Sequence, residues 1–189
     1  MMKENEIPYI ISQGEAEAQC KEIERINECD YIATNDSDIF GYGGKKVIRN
    51  FLIEKEEMKI YEMETIGYTQ EQIILYSIIV GNDYTEGIKG IGKKKGKLII
   101  DTFTTIEEFI EFMKTNNMKQ TNEKLMKIKE SITLPKHFPN EQIINQFKNP
   151  DVYKIEKKIE WKENTQQIKE YCKNEFKWDE NYLFKYWIF

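Results

Sequence analysis

The sequence predicts an α/β fold: a partial parallel sheet flanked by helices, then a helix–hairpin–helix segment and a mainly helical C-terminal part. Three observations predict it. Short β-rich runs flank an amphipathic helical stretch within about the first fifty residues, the pattern of a parallel α/β sheet. A glycine-punctuated turn, Gly87-Ile88-Lys89-Gly90-Ile91-Gly92, separates two apolar helical runs. The chain has 189 residues, 40% of them hydrophobic and 13% aromatic, enough for one domain with a real core.

The elements follow in order. Ile7 to Ile11, with Pro8 at its start, reads as a first strand. Ser12 stands three residues before Glu15, a capping-box spacing that opens a helix. In that helix Ala16, Cys20, Ile23 and Ile26 recur every three or four residues, giving one buried stripe. Tyr31–Thr34 reads as a second strand ending in the polar turn Asn35-Asp36-Ser37-Asp38. Gly41, Gly43 and Gly44 mark a further turn, and Val47–Ile53 a third strand. Thr69 caps a helix through Ile73, Ile74, Tyr76, Ser77 and Val80, which Gly81 stops. After the glycine hairpin a second helix carries Leu98, Ile99, Ile100 and Phe103. Residues 104–134 read as polar helix, and the Lys/Glu-rich, aromatic stretch beyond them is the least regular. The division expected is 1–68, 69–134 and 135–189.

Composition excludes several classes. The longest apolar run is far too short to span a bilayer, and no signal-peptide pattern opens the chain. Cys20, Cys29 and Cys172 lack CxxC spacing, so a zinc site or disulfide framework is not expected, and His137 is the single histidine. These features read as a reduced, intracellular protein with no membrane association. The net charge of −5 argues against a protein coated in nucleic acid, yet Lys89–Lys97 holds five lysines and no acid.

Five acids stand where strands give way to helices, the edge at which α/β sheets build sites. Glu15 and Glu17 follow the first strand, Asp36 and Asp38 the second, and Asp83 the C-cap of the Thr69 helix. Asp36 and Asp38 project to one side of an extended segment. Glu15 and Glu17 diverge by about 200° on a regular helix and converge only if Glu15 lies at its frayed start. Carboxylates 4 Å apart repel by on the order of 4 kcal/mol per pair at an effective dielectric near 20. Such a cluster requires cations or protons, and hard oxygen donors select Mg²⁺ or Mn²⁺. Any one of these acids alone is more often a helix cap or a solvated turn, and it is their joint placement at strand ends that points to a site.

The hairpin glycines let successive backbone N–H groups face a phosphate, and the helix start after Gly92 adds a favourable dipole. Lys93, Lys94, Lys95 and Lys97 then flank a nucleic-acid backbone, which gives salt-sensitive binding indifferent to sequence. Gly87–Lys93 superficially fits a nucleotide P-loop. That reading fails, because position 94 is lysine where serine or threonine is required and a helix precedes the turn. The same pattern also suits a plain helical corner with a solvated lysine face.

The runs IPYIISQGEAEAQC, ATNDSDIFGYGG and GNDYTEGIKGIGKKKGKLI together resemble the structure-specific 5′ nucleases of the XPG and flap endonuclease family. VIRNFLIEK, GNDYTEG and, more weakly, LPKHFPNE, Trp161 and EYCKNEFKW look more like the XPG branch. The resemblance implies a PIN-like 5′ nuclease internal region in which Glu15, Glu17, Asp36, Asp38 and Asp83 bind two Mg²⁺ ions, Mn²⁺ substituting. It implies that Gly87, Ile88, Lys89, Gly90, Ile91, Gly92, Lys93, Lys94, Lys95 and Lys97 form the duplex-binding hairpin, with a monovalent cation at its carbonyls. It further implies hydrolysis at single-strand/double-strand junctions of DNA during nucleotide excision repair, in the nucleus. A replication flap endonuclease and a non-catalytic duplex-binding module are the alternatives. Relatives carry an N-terminal nuclease region with more metal-binding aspartates, and the chain is expected to need that region or a partner supplying it. Without its strands a sheet edge stays open.

Overall fold

The computed structural model describes residues 9–51, 57–115, 122–155 and 165–179. It divides into two compact units, Ser12–Ile155 and a smaller one made of residues 1–11 with 156–189.

In the larger unit, α1 (Ala16–Arg25) is followed by β1 (Ile32–Ala33), α2 (Asp38–Gly41), β2 (Lys46–Arg49) and β3 (Lys59–Glu62). β1 and β2 pair in parallel, with Ile32 opposite Val47, as the strand–helix–strand pattern requires. β3 joins the other side of β2 antiparallel, so among the described residues the sheet is mixed, in the order β1-β2-β3. The third strand expected at Val47–Ile53 is β2 in its first half, and residues 52–56 lie outside the described residues. A small core of Ile32, Ile39 and Val47, flanked by Cys20, Cys29, Phe40 and Tyr61, fills one side.

The start of α1 differs from its expected form. Ser12 does not cap it. The Ser12 hydroxyl donates to the Gly14 carbonyl at 2.8 Å, and the N-cap is Glu15, with extended backbone and no side-chain cap bond. The buried face is also not the expected stripe. Ala18, Gln19 and Glu24 are buried, while Ala16 is exposed and Cys20, Ile23 and Ile26 are half-buried. The cause is polar satisfaction. Glu24 accepts from the Lys45 and Lys46 N–H groups at 2.9 Å and from the Lys21 ammonium, so a carboxylate at the core edge anchors the start of β2.

The helical half comprises α3 (Met63–Ile66), α4 (Gln70–Val80), α5 (Lys93–Ile100), α6 (Ile106–Lys114), α7 (Glu123–Ser131) and α8 (Glu141–Lys148). Thr69 caps α4 in a full capping box with Gln72, and Gly81 ends it, as the sequence predicts. Thr105 and Glu108 form a second box on α6. α5 stops at Ile100, and Phe103 lies beyond it, against Phe109 and Phe112. One continuous core of Ile74, Leu75, Ile78, Ile79, Ile99, Phe109 and Phe147, among others, joins these helices. α8 enters it through Ile143, Ile144 and Phe147.

In the smaller unit, Tyr9–Ile11 forms no strand, and residues 7 and 8 lie outside the described residues. A strand needs a neighbour to complete its hydrogen bonds. The described part also contains α9 (Thr165–Phe176), where Phe176 stacks on Tyr171 and Trp178 at 5.8 and 5.3 Å. Trp161 and the aromatic end after 179 lie outside the described residues.

Candidate functional site

Glu15 and Glu17 reach the site from different backbone conformations. Glu15 precedes α1 at φ −68°, ψ 135°, so its side chain is not bound to the helical period. Glu17 sits in the first turn, where its Oε1 accepts from the Thr34 hydroxyl at 3.1 Å. Glu15 thus stands at the helix start, where the divergence of about 200° on a regular helix does not apply to it.

The Asp36–Asp38 turn is pinned from within. Asp36 N–H donates to Thr34 Oγ1 at 3.0 Å, and Asp38 N–H donates to Asp36 Oδ1 at 2.9 Å. Asp38 therefore opens α2 rather than extending a strand, and the buried Ile39 fixes that helix to the sheet core. Asp83 lies in a tight turn whose ends, Asn82 and Thr85, pair with each other. The Asn82 side chain holds the turn, accepting from Tyr84 and Thr85 N–H at 2.9 and 3.0 Å.

The carboxylates meet around Asp38. Burial, then the charges of Asp36, Asp83, Glu15 and Glu17, push its carboxyl up to about 6. The other four predicted acids thus all act on Asp38. Among the described residues no three Asp, Glu, His or Cys side chains stand close enough to hold one ion, so they are neighbours without a closed ligand shell. The donors are hard oxygens with no thiol or imidazole among them, which fits Mg²⁺ or Mn²⁺ in chemistry.

The hairpin is built by close backbone approach. Gly87, at φ +76°, brings its Cα so near the end of α4 that a Cβ would lie 2.6 Å from Gly81 N. Ile88 N–H then donates to Ile79 O at 2.9 Å. The Ile88 and Ile91 side chains are buried in the core, so of these two only backbone faces outward. The lysines divide. Lys93 and Lys94 are exposed, Lys95 donates to Gly90 O at 2.8 Å, and Lys97 is bound at 2.9 Å to Asp101 and at 2.6 Å to the Tyr68 hydroxyl. These partners raise the Lys97 pKa, the Tyr68 hydrogen bond most.

A cavity of about 650 Å³ is lined by three of the acids and three of the lysines, but not by Glu15, Glu17 or the Gly87–Gly92 turn. Asp36, Asp38 and Asp83 line it together with Lys93, Lys94 and Lys97, and Phe40, Tyr68 and Tyr76 are also in its wall. Sequence reasoning missed Thr34, Tyr42, Tyr68, Tyr84 and Asp101. Of these only Tyr84, adjacent to Asp83, carried any local signal.

Residues 6–83 match the family model of the XPG I-region, and the chain is similar to proteins of the XPG and flap endonuclease family. Relatives from both branches match: flap endonuclease 1 of Naegleria gruberi is 32% identical over 153 residues, covering 77% of this chain and 36% of that protein. The DNA repair protein RAD2 of Saccharomyces cerevisiae is 31% identical over 160 residues, covering 77% of this chain and 16% of that protein. The DNA excision repair protein ERCC-5 homolog of Xenopus laevis is 28% identical over 188 residues, covering 91% of this chain and 16% of that protein. Among solved structures, the catalytic core of Rad2 in complex with DNA substrate matches with a TM-score of 0.77 and 26% identity, covering 97% of this chain and 63% of that one. The chain therefore spans a small part of these curated relatives and about two thirds of that catalytic core.

Proposed function

We propose that the chain is the metal-binding and duplex-gripping part of an XPG-type, structure-specific DNA repair endonuclease, acting at junctions of single- and double-stranded DNA. The observation that supports this reading best is the shared cavity, lined by Asp36, Asp38 and Asp83 together with Lys93, Lys94 and Lys97. A DNA backbone gripped by Lys93 and Lys94 is thereby delivered to the acidic edge. Glu15, Glu17, Asp36, Asp38 and Asp83 would hold two Mg²⁺ ions, Mn²⁺ substituting. Such ions, when bound, activate water and stabilise the leaving oxygen of a phosphodiester.

The chain's own residues orient these groups. Thr34 holds Glu17, the Asp36 carboxylate fixes the start of α2, and the Asn82 turn presents Asp83. The open ligand shell is consistent with further acids from a nuclease region that this chain does not match, supplied by a preceding segment or a partner. A monovalent cation at the hairpin carbonyls belongs to the same reading, with Lys95 already occupying Gly90 O. So does work in the nucleus. The open shell also favours a second reading, a duplex-binding module without catalysis.

Calorimetric titration with Mn²⁺, paired with bubble and 5′-flap cleavage, tests these readings. Mn²⁺ binding that is lost in Glu17→Gln and Asp38→Asn supports the endonuclease, with little cleavage by the chain alone. No Mn²⁺ binding, with duplex binding intact, identifies the module. Preference for a flap over a bubble points to a replication nuclease.

A further inference from the structure

Hydrogen bonds to Thr34, Asp36 and Asn82 shape the acid-bearing turns, but a metal site also needs those turns held at fixed separations. α8 and the chain just beyond it back all of them. Phe147, in the last turn of α8, is fully buried. Its ring lies so close to Gly41, the last residue of the helix that Asp38 opens, that a Cβ there would stand 2.8 Å from two ring carbons. The same ring packs on Tyr42 and on Tyr84, the neighbour of Asp83, with centroids 5.1 and 6.0 Å away. The Tyr42 and Tyr84 hydroxyls lie 3.3 Å from each other. Beyond α8, the Asp151 carbonyl oxygen would stand 3.2 Å from a Cβ on Gly14, which precedes Glu15. Tyr153 then shares two hydrogen bonds with the Gln19 amide on α1, the helix that carries Glu17.

We propose that α8 and the chain through Tyr153 form a brace, with Phe147 as its positioning residue, that sets the Glu15–Glu17, Asp36–Asp38 and Asp83 segments relative to one another. The inference rests on the metal-site reading above and deepens it. The acid-bearing elements are short: α2 has four residues and β1, which leads into the Asp36 turn, has two. Like charges push such segments apart. A ring seated between two of them resists that movement, because packed interiors have low compressibility. The brace lies outside residues 6–83, which match the family model, and acts without touching the ions.

The test uses Phe147→Leu, Gly41→Ala and, as a control on α8, Ile143→Val, each in the full chain and below its unfolding temperature. Ile143 is also in the core, but it borders a separate cleft with Gly87 and Phe138. Phe147→Leu keeps the core apolar and withdraws the ring from Gly41, Tyr42 and Tyr84. It should weaken Mn²⁺ binding about tenfold, the scale on which residues behind metal ligands act. Duplex affinity in chelator should stay unchanged. Gly41→Ala should weaken Mn²⁺ binding likewise, by driving a methyl group into the ring. The double variant should lose less than the two singles combined, because leucine lacks the outer ring carbons that the methyl group meets. Ile143→Val should leave Mn²⁺ affinity as it is. Wild-type Mn²⁺ affinity in Phe147→Leu, or an equal loss in Ile143→Val, overturns the brace while leaving the metal site standing. Should Phe147→Leu not fold, wild-type affinity in Gly41→Ala overturns it in the same way. Absence of Mn²⁺ binding by the wild-type chain overturns the metal site and the brace with it.

Discussion

Gln19 and Tyr153, 134 residues apart, bind each other twice: the Gln19 amide donates to Tyr153 O at 3.1 Å and accepts from Tyr153 N–H at 2.8 Å. A buried side-chain amide here completes the hydrogen bonds of a backbone segment that has no strand partner. The contact ties α1, which carries Glu17 and follows Glu15, to the chain beyond α8.

Gln19→Leu should therefore destabilise the fold by about 1 kcal/mol, since it leaves a part-buried N–H and C=O of Tyr153 without their partner. Urea unfolding measures the loss. A change under about 0.5 kcal/mol would show that water replaces the amide.

Glu24 predicts the acid limb of stability. Burial pushes its carboxyl up, but the Lys21 ammonium and the Lys46 and Lys45 N–H groups outweigh burial and hold it below the ordinary carboxylate range. A group with a lowered folded pKa binds fewer protons folded than unfolded, so its stabilisation is present above the unfolded value and lost as pH falls through the folded one. Glu24→Gln should cost about 2 kcal/mol at neutral pH. The gap to wild type should narrow below about pH 4.5. A gap constant down to pH 3 would deny the carboxylate this role.

The hairpin lysines should not contribute equally to duplex binding. Lys93→Ala with Lys94→Ala should weaken affinity for a plain duplex and lower the salt slope by about 2, close to one counterion per lysine. Lys97→Ala should change that slope much less, because Asp101 and the Tyr68 hydroxyl already hold its ammonium. Equal slopes for all three would mean that DNA pulls Lys97 from its partners.

What the sequence disclosed followed from the range of each interaction. The Thr69 box on α4 was legible because both partners lie within one turn. The same spacing at Ser12 and Glu15 misled, because the Ser12 hydroxyl is spent on Gly14 O and the helix starts four residues later. β3 escaped notice because Lys59-Ile60-Tyr61-Glu62, among the described residues, pairs on one side only and leaves Ile60 exposed. The five acids were legible by type and order. The partner of Glu17 was not, since the Thr34 hydroxyl, 17 residues away, meets it only after folding. α8 was hidden for the same reason: its use depends on Phe147 reaching Tyr42.

The acidic cluster should make the metal-free chain less stable than it could be, as sites kept for function commonly do. Asp38 lies among four other carboxylates and is partly withdrawn from water. Replacing it with asparagine relieves the repulsion, and the neutral amide fits the same space. In chelator at neutral pH, Asp38→Asn should raise stability by about 1 kcal/mol, a figure reduced from the unscreened repulsion because the group remains partly solvated. Millimolar Mn²⁺ should reverse the order, stabilising wild type by mass action and leaving the variant nearly unmoved. Thermal unfolding with and without the ion reads both effects in one experiment. Should Asp38→Asn melt lower than wild type in chelator, the carboxylate is a structural cap of α2 and not a charge held ready for a cation.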